Sequence, residues 1–216
     1  MDVRPRRRRL GQSGTGAVHR QPANVHLDGH GHLVITAIKN PDGTYTSARI
    51  KTQRRFSFRY GTVSARIDLP AGQSLWPAFW LLGKSIQRIG WPACGEIDVM
   101  ELLGNDTHTA YGHIHGPGPR NDTGYGGAYH STAQLTGSFH VYTARWTPTA
   151  VTFLVDGHAY VTVHRSEVKA PNGWALDQPM FLLLNLAVGG NWGGNPNGST
   201  PFPARMVVDW VRVSKP

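Results

Sequence analysis

The sequence predicts an all-β domain, most simply a sandwich of antiparallel sheets. Three observations carry that expectation. Stretches such as Val63-Ser64-Ala65-Arg66-Ile67 alternate apolar and polar residues, the period of two that a half-buried strand requires. The 216 residues include 26 Gly and 15 Pro with seven each of Trp, Tyr and Phe, which suits many short strands joined by turns. The length also fits one domain, because all-β sandwiches of this size occur as single units. No run approaches a membrane span, and no internal repeat is visible.

Residues 1–21 stand apart from the rest of the chain. Six arginines against Asp2 give them +5 of the formal +9, and the remaining residues carry only +4. The folded part is mildly basic, so a nucleic-acid-binding role would rest on this segment alone. From His26 to Ile35 the chain reads as strand, turn, strand, with Gly29 and Gly31 supplying the turn. His26, His30 and His32 make a metal site conceivable there. With no Cys or second cluster to complete a ligand set, exposed turn and edge positions are the simpler reading.

Ser47 to Pro70 holds two alternating stretches, Phe56 to Tyr60 and Val63 to Ile67, both read as antiparallel strands. Leu75 to Leu82 is dense in Trp and Phe and is expected in the core, Phe79 above all. Trp76 is instead a candidate for a cleft, as is Trp91, because flat rings offer apolar faces on which a ligand can stack. Cys94 is the only cysteine, so no intrachain disulfide forms. With no His near it in sequence, a small buried hydrophobe is favoured over a thiol catalyst.

The stretch that carries chemistry is Gly95-Glu96-Ile97-Asp98-Val99-Met100-Glu101, three carboxylates with no Lys or Arg between them. Alternation puts Glu96 and Asp98 on one strand face but Glu101 on the other. A one-residue bulge at Val99–Met100 resets the parity and returns Glu101 to the face of the other two. Crowding acids costs repulsion, and retaining glycoside hydrolysis is a chemistry that uses it, with two carboxyls about 5–5.5 Å apart. Five positions at roughly 3.3 Å each is too far on a flat strand, so a concave, bulged sheet and two long side chains must close the gap. Asp98 between them would orient the nucleophile and separate the pKa values of the pair. A solvated strand face bearing three acids is the bland alternative.

Beyond the acids, His113 and His115 alternate on one strand and so share a face. Gly116 to Gly127 reads as a loop bordering a substrate. Phe139 to Trp146 and Val151 to Val155 read as strands, with Asp156-Gly157 a hairpin turn. Met180 to Val188 is almost continuously apolar, as a strand buried on both faces should be. Its polar exception, Asn185, needs partners that a place near the acids would supply. Gly189 to Gly198 is a second glycine-rich loop and carries Trp192, a further stacking candidate, and Met206 to Val213 reads as the closing strand.

Glu96-Ile97-Asp98-Val99-Met100-Glu101 resembles the E-x-D-x-x-E signature of glycoside hydrolase family 16, in its bulged, laminarinase-like form. The resemblance begins at Tyr45 to Ile50 and Phe58 to Gly61 and continues through Leu75 to Trp80 and Trp91 to Gly95. It runs on through His115 to Gly118, Trp146 to Pro148, Val155 to Gly157, Leu184 to Trp192 and Val208 to Val213. Roughly residues 22–214 are covered, with the segments in family order.

This resemblance implies a jelly-roll sandwich of two curved antiparallel sheets, the concave one forming an open cleft. The implied activity is retaining endo-hydrolysis of a β-1,3-glucan or a mixed-linkage β-1,3-1,4-glucan. Glu96 would be the nucleophile, Glu101 the acid and then base, and Asp98 their support. Trp91 matches the tryptophan beside the subsite of the cleaved sugar, and His115 a position near the leaving group. No catalytic cofactor is implied. A structural calcium is, bound partly by a backbone oxygen near Gly31 and by Asp209, hard oxygen donors that suit that ion. The expected partner is the polysaccharide, with no nucleic acid and no membrane, and the expected protein is an extracellular monomer.

Two alternatives stay open. An impaired domain of the same fold would bind glucan through Trp76 and Trp91 without cutting it. Within the enzyme class, sugar in place of water would capture the intermediate and give transglycosylation.

Residues 1–21 resemble nothing in the family. Back-translated and read from the second base of each codon, they permit a string similar to the family's amino-terminal W-T-Y…G-G-G-G-W-G-N-x-E-L…Y-T stretch. The expectation is an out-of-frame segment produced by an insertion or deletion near codons 21–22, ahead of a catalytic domain at 22–216 that lacks its first strand. A signal peptide would be absent from this chain for the same reason. A genuine basic tail and an unselected start are the rival readings.

Overall fold

A computed structural model describes residues 2–3, 16–18, 23–118, 124–169 and 173–215. In chain order the strands are β1 (Asp2–Val3), β2 (Gly16–Val18), β3 (Val25–Leu27), β4 (Leu33–Lys39), β5 (Tyr45–Ser47), β6 (Arg49–Lys51), β7 (Gly61–Asp68) and β8 (Leu75–Gly83). A single-turn helix α1 (Ile86–Ile89) comes next, then β9 (Glu96–Leu102), β10 (Thr109–His115), β11 (Tyr125–His130) and β12 (Phe139–Trp146). The chain ends with β13 (Ala150–Val155), β14 (His158–His164), β15 (Met180–Val188) and β16 (Ala204–Ser214).

These strands form two sheets. One has seven strands in the order β1-β6-β15-β8-β9-β10-β11, every neighbouring pair antiparallel. The other has nine, in the order β14-β13-β12-β7-β16-β4-β5-β2 with β3 beside β4. Its pairs are antiparallel except β2 with β5. The crossovers between sheets, with sequence neighbours such as β7 and β8 in different sheets, make the sandwich a jelly roll. Of residues 1–22 the structure describes the backbone of β1 and β2 alone. The expected out-of-frame reading of residues 1–21 lies outside the described residues.

The main core fills the space between the sheets. Alternate residues of β7, Val63, Ala65 and Ile67, are fully buried there. They share one core cluster with Phe79 from β8 of the other sheet and with Tyr142 and Phe153 from β12 and β13 of their own. Truncating a ring such as Phe79 to Ala would cost about 3–5 kcal/mol. β8 is buried along its whole length, and β15 at every position but one. Leu75, Phe79 and Leu81 enter the main core, while Ala78, Trp80 and Leu82 on the opposite face join Phe181, Leu183, Ile86 and Cys94 in a second apolar cluster. This double burial explains why both segments read as unbroken apolar runs.

Asp156 and Gly157 both take positive φ, 49° and 83°, the geometry of a tight hairpin turn between β13 and β14. The alternation from Phe56 to Tyr60 does not make a strand. Among the described residues its only bridge is Phe58 to Met180, because Arg54 (φ 67°) and Tyr60 (φ 61°) turn the backbone out of the extended ribbon. The apolar spacing there reflects separate fates. Phe58 packs edge-on against Trp146, while Phe56 stays 46% exposed.

Candidate active site

The site is built on β9. Its pairing with β8 runs Glu96 to Leu82, Ile97 to Leu81 and Asp98 to Trp80, then skips Val99 and resumes with Met100 to Phe79 and Glu101 to Ala78. Val99 is the extra residue of a bulge, and both Val99 and Met100 point into the main core. The parity is thereby reset, and Glu96, Asp98 and Glu101 line one cleft of about 460 Å³. Trp76, Trp91, His115, Asn185 and Trp192 line the same cleft.

Each neighbour is fixed by a specific contact. Trp76 Nε1 donates to Glu101 Oε1 at 2.9 Å. Trp80 Nε1 donates to Asn185 Oδ1 at 2.8 Å, which gives the buried amide its partner. His115, directly opposite Glu96 in the strand register, places Nε2 3.0 Å from Asp98 Oδ2. That distance suits an ion pair, but the alignment is not that of a hydrogen bond, and Asp98 Oδ2 is buried without a hydrogen-bonded partner. Asp98 as a whole is 4% exposed.

Rings follow one another around the acids. Trp91 lies 6.1 Å from His115, His115 6.2 Å from His113, and His113 6.2 Å from Tyr111. Tyr111 lies 4.8 Å from Trp192, which meets Trp76 edge-on at 5.3 Å. Trp91 and Trp192 remain 38% and 40% exposed, so each keeps apolar ring surface for a ligand.

Burial pushes Glu101 up to about 8, the charge of Asp98 adds to the rise, and His115 and the Trp76 N–H oppose it. Burial raises Glu96 as well, followed by Asp98, while His115 and Arg49 pull it back. Both glutamates are thus held above the ordinary carboxylate range, and Arg49 opposes the rise at Glu96. A carboxyl that keeps its proton at neutral pH, with a second carboxyl beside it, is the equipment of acid-assisted nucleophilic displacement.

Arg49, Trp80 and His113 are among the cleft residues to which sequence reasoning gives no role. Arg49 stacks over the Trp80 ring at 5.1 Å and pairs in register with Asn185. A cation between two buried residues, Ala48 and Ile50, is the available signal, since alternation turns it away from the core. Trp80 shares a strand face with Trp76, two repeats of the pleat away. Alternation places His113 on the face of His115 but gives it no role.

Cys94 is fully buried, and burial first, then Glu96, pushes its thiol up to about 11, which makes it inert as a nucleophile at neutral pH. Around Gly29 to Gly31 the His32 side chain is spent on the turn. Asp28 accepts from the backbone of His30 and His32 and contacts His32 Nδ1 at 2.7 Å. Gly31 and Asp209 belong to the other sheet and not to the cleft. Val208 pairs with Leu33, which brings Asp209 near the turn holding Gly31, and Arg66 Nη1 donates to Asp209 Oδ2 at 2.7 Å.

A jelly roll with paired glutamates in an aromatic-walled cleft defines a glycoside hydrolase. The family model "Glycosyl hydrolases family 16" matches residues 15–212, and the chain belongs to that family. It is 39% identical over 198 residues to a β-glucanase of Rhodothermus marinus, spanning 86% of this chain and 68% of that one. It is 39% identical over 181 residues to glucan endo-1,3-β-glucosidase A1 of Niallia circulans, spanning 79% of this chain but 26% of that one. Among solved structures, the laminarinase catalytic domain of Thermotoga maritima superposes with a TM-score of 0.87 at 39% identity, over 95% of this chain and 85% of that one.

Proposed function

We propose that this chain cleaves internal bonds of a β-1,3-glucan, or of a mixed-linkage β-1,3-1,4-glucan, with retention at the anomeric carbon. Protonated Glu101 gives its proton to the glycosidic oxygen while the Glu96 carboxylate attacks the anomeric carbon and the leaving chain departs. Ionised Glu101 then takes a proton from water, whose oxygen displaces Glu96 and restores both acids. Trp91 and Trp192 stack on sugar rings, and Asn185 and Arg49 offer donors to hydroxyl groups. The observation that carries this reading is the bulge in β9, which brings Glu96, Asp98 and Glu101 into one aromatic-walled cleft, with Glu101 pushed up to about 8. Three acids in one cleft favour hydrolysis over binding alone.

The test is reducing-end release from laminarin and from mixed-linkage glucan, with the first-formed anomer followed by NMR. Early release of a ladder of oligosaccharides with β anomers supports the proposal. Monosaccharide alone, or α anomers first, overturns it.

The raised Glu101 sets a pH dependence. The acid must be protonated, so kcat/KM on laminarin falls as pH rises through about 8. Asp98→Asn removes a charge that raises Glu101, so whatever activity that variant retains shows this limb at lower pH. A limb that stays in place would mean that another group governs it.

The same proposal includes an extracellular monomer that acts on polysaccharide without nucleic acid or membrane. Among the described residues no helix is long and apolar enough to cross a membrane. It also includes a structural calcium at Gly31 and Asp209. The donor chemistry fits, a carboxylate and a backbone carbonyl brought close by the β4–β16 register, with Arg66 occupying only one Asp209 oxygen. Calcium there would tie β16 to the turn before β4. Chelator treatment is expected to lower the melting temperature by several degrees, with recovery on adding calcium but not magnesium. An unchanged melting temperature removes calcium from the proposal.

A further inference from the structure

We infer that Glu96, Asp98 and His115 form a binding site for zinc or copper(II), and that an ion held there blocks the enzyme. This rests on the reading of Glu96 as the reacting carboxylate. The three side chains each present one ligand atom to a common point, and these atoms all lie within 4.8 Å of one another. Donors around a four-coordinate zinc stand about 3.3 Å apart, given metal–ligand bonds of about 2.0–2.2 Å. His115 Nε2 and Asp98 Oδ2, 3.0 Å apart, already meet that spacing. Glu96 has a long side chain, and its ligand atom stands within 4.8 Å of the other two, so modest rotation would bring it to that spacing.

The second observation is the buried oxygen itself. Asp98 Oδ2 is shut off from solvent, accepts no hydrogen bond and faces His115 across a gap that is off the hydrogen-bond axis. A buried carboxylate oxygen without a donor is costly, and a cation would satisfy it. The donor set selects the ion. One imidazole with two carboxylates suits zinc or copper(II), whereas calcium and magnesium take all-oxygen shells. The two carboxylates also neutralise a divalent charge. The cleft leaves a position for water, so the protein supplies three ligands and stays open at a fourth.

Glu101 lies outside this group, with Oε1 held by the Trp76 N–H. Glu96, Asp98 and His115 make the one such group among the described residues, and His26, His30 and His32 form none. An ion bound here takes the Glu96 oxygen that would attack the sugar, so glucan and metal exclude each other. The enzyme is then inhibited competitively by zinc or copper(II) and is indifferent to magnesium.

The experiment is calorimetric titration of the full chain with Zn²⁺ alone, in a non-chelating buffer, together with the visible absorption spectrum of its Co²⁺ form. One ion per chain is expected, with the intense bands of four- or five-coordinate cobalt. His115→Gln and Asp98→Asn should each weaken zinc by at least about tenfold, as loss of a ligand requires, while Glu101→Gln stays within about twofold. Zinc should raise the KM for laminarin and leave kcat unchanged.

Zinc binding that survives His115→Gln, or a purely octahedral cobalt spectrum, overturns the inference. The titration needs no turnover, so an inactive chain that still binds zinc at these residues counts against the hydrolase reading alone. An active chain that binds none counts against this one. Melting curves of the variants distinguish a lost ligand from a lost fold, and the cobalt spectrum of the unaltered chain decides the matter if a variant fails to fold.

Discussion

Glu96→Gln lowers kcat on laminarin by about 10⁴-fold or more, the scale on which removal of a nucleophile stops a two-step mechanism. The amide keeps the shape of the side chain but cannot form the glycosyl ester. KM should change little, because the ring surfaces of Trp91 and Trp192 remain. The variant is also expected to be at least as stable as the parent near neutral pH. Burial and Asp98 raise the folded-state Glu96 above its ordinary range, so ionising it opposes folding. A chain that melts no earlier yet has lost turnover separates a chemical role from a structural one. Equal loss of both would remove Glu96 from the reaction.

Glu101→Gln has the second largest effect, and its size depends on the leaving group. Polysaccharide, whose departing oxygen needs a proton, should be cleaved about 10²–10⁴-fold more slowly. Activated aryl glycosides leave without that help, so their first step should be nearly unaffected and the second, which needs a base, should become limiting. Azide should then restore turnover and give the β-glycosyl azide, because it attacks the covalent intermediate without needing a base. Failure of azide to rescue, or an equal effect on both kinds of substrate, would take the acid–base role from Glu101.

The stability sign is the same as for Glu96 and has a defined window. The unfolded glutamate ionises near 4.5 and the folded one near 8. The parent therefore loses stability as pH climbs between those values, and the Gln variant, which keeps Glu96, lacks the Glu101 share of that loss. Melting temperatures should coincide near pH 4 and diverge by pH 8, with the variant higher.

The strand pattern and the acids were legible because both are local. Alternation in β7, the apolar runs of β8 and β15, and the Asp156-Gly157 turn are properties of consecutive residues. The bulge was legible for a related reason, since three acids that had to share a face did not fit the pleat without one. What escaped notice depends on partners far along the chain. Arg49 becomes a cleft residue only because β6 lies beside β15 and Trp80 lies beneath it. The contact of His115 with Asp98 exists only through the β9–β10 register. The stretch from Phe56 to Tyr60 misled in the opposite sense. Its spacing suited a strand, and the left-handed residues that break it, Arg54 and Tyr60, are not types that advertise that conformation.

The extra residue in β9 also sets how the catalytic strand tolerates length changes. Val99 has no partner on β8, so a chain shortened by that one residue still presents Glu96, Asp98 and the final glutamate at alternate positions, now on a regular ribbon. The acids would keep their shared face, and the loss would be one apolar side chain from the interior. Removing Ile97 instead would turn Glu96 to the opposite face from Asp98. In this strand, then, the tolerance for a missing residue is confined to one place between the second and third acids. The same reaction centre can be written in two sequence lengths, and a search of sequences at one fixed spacing would recover only some of its carriers.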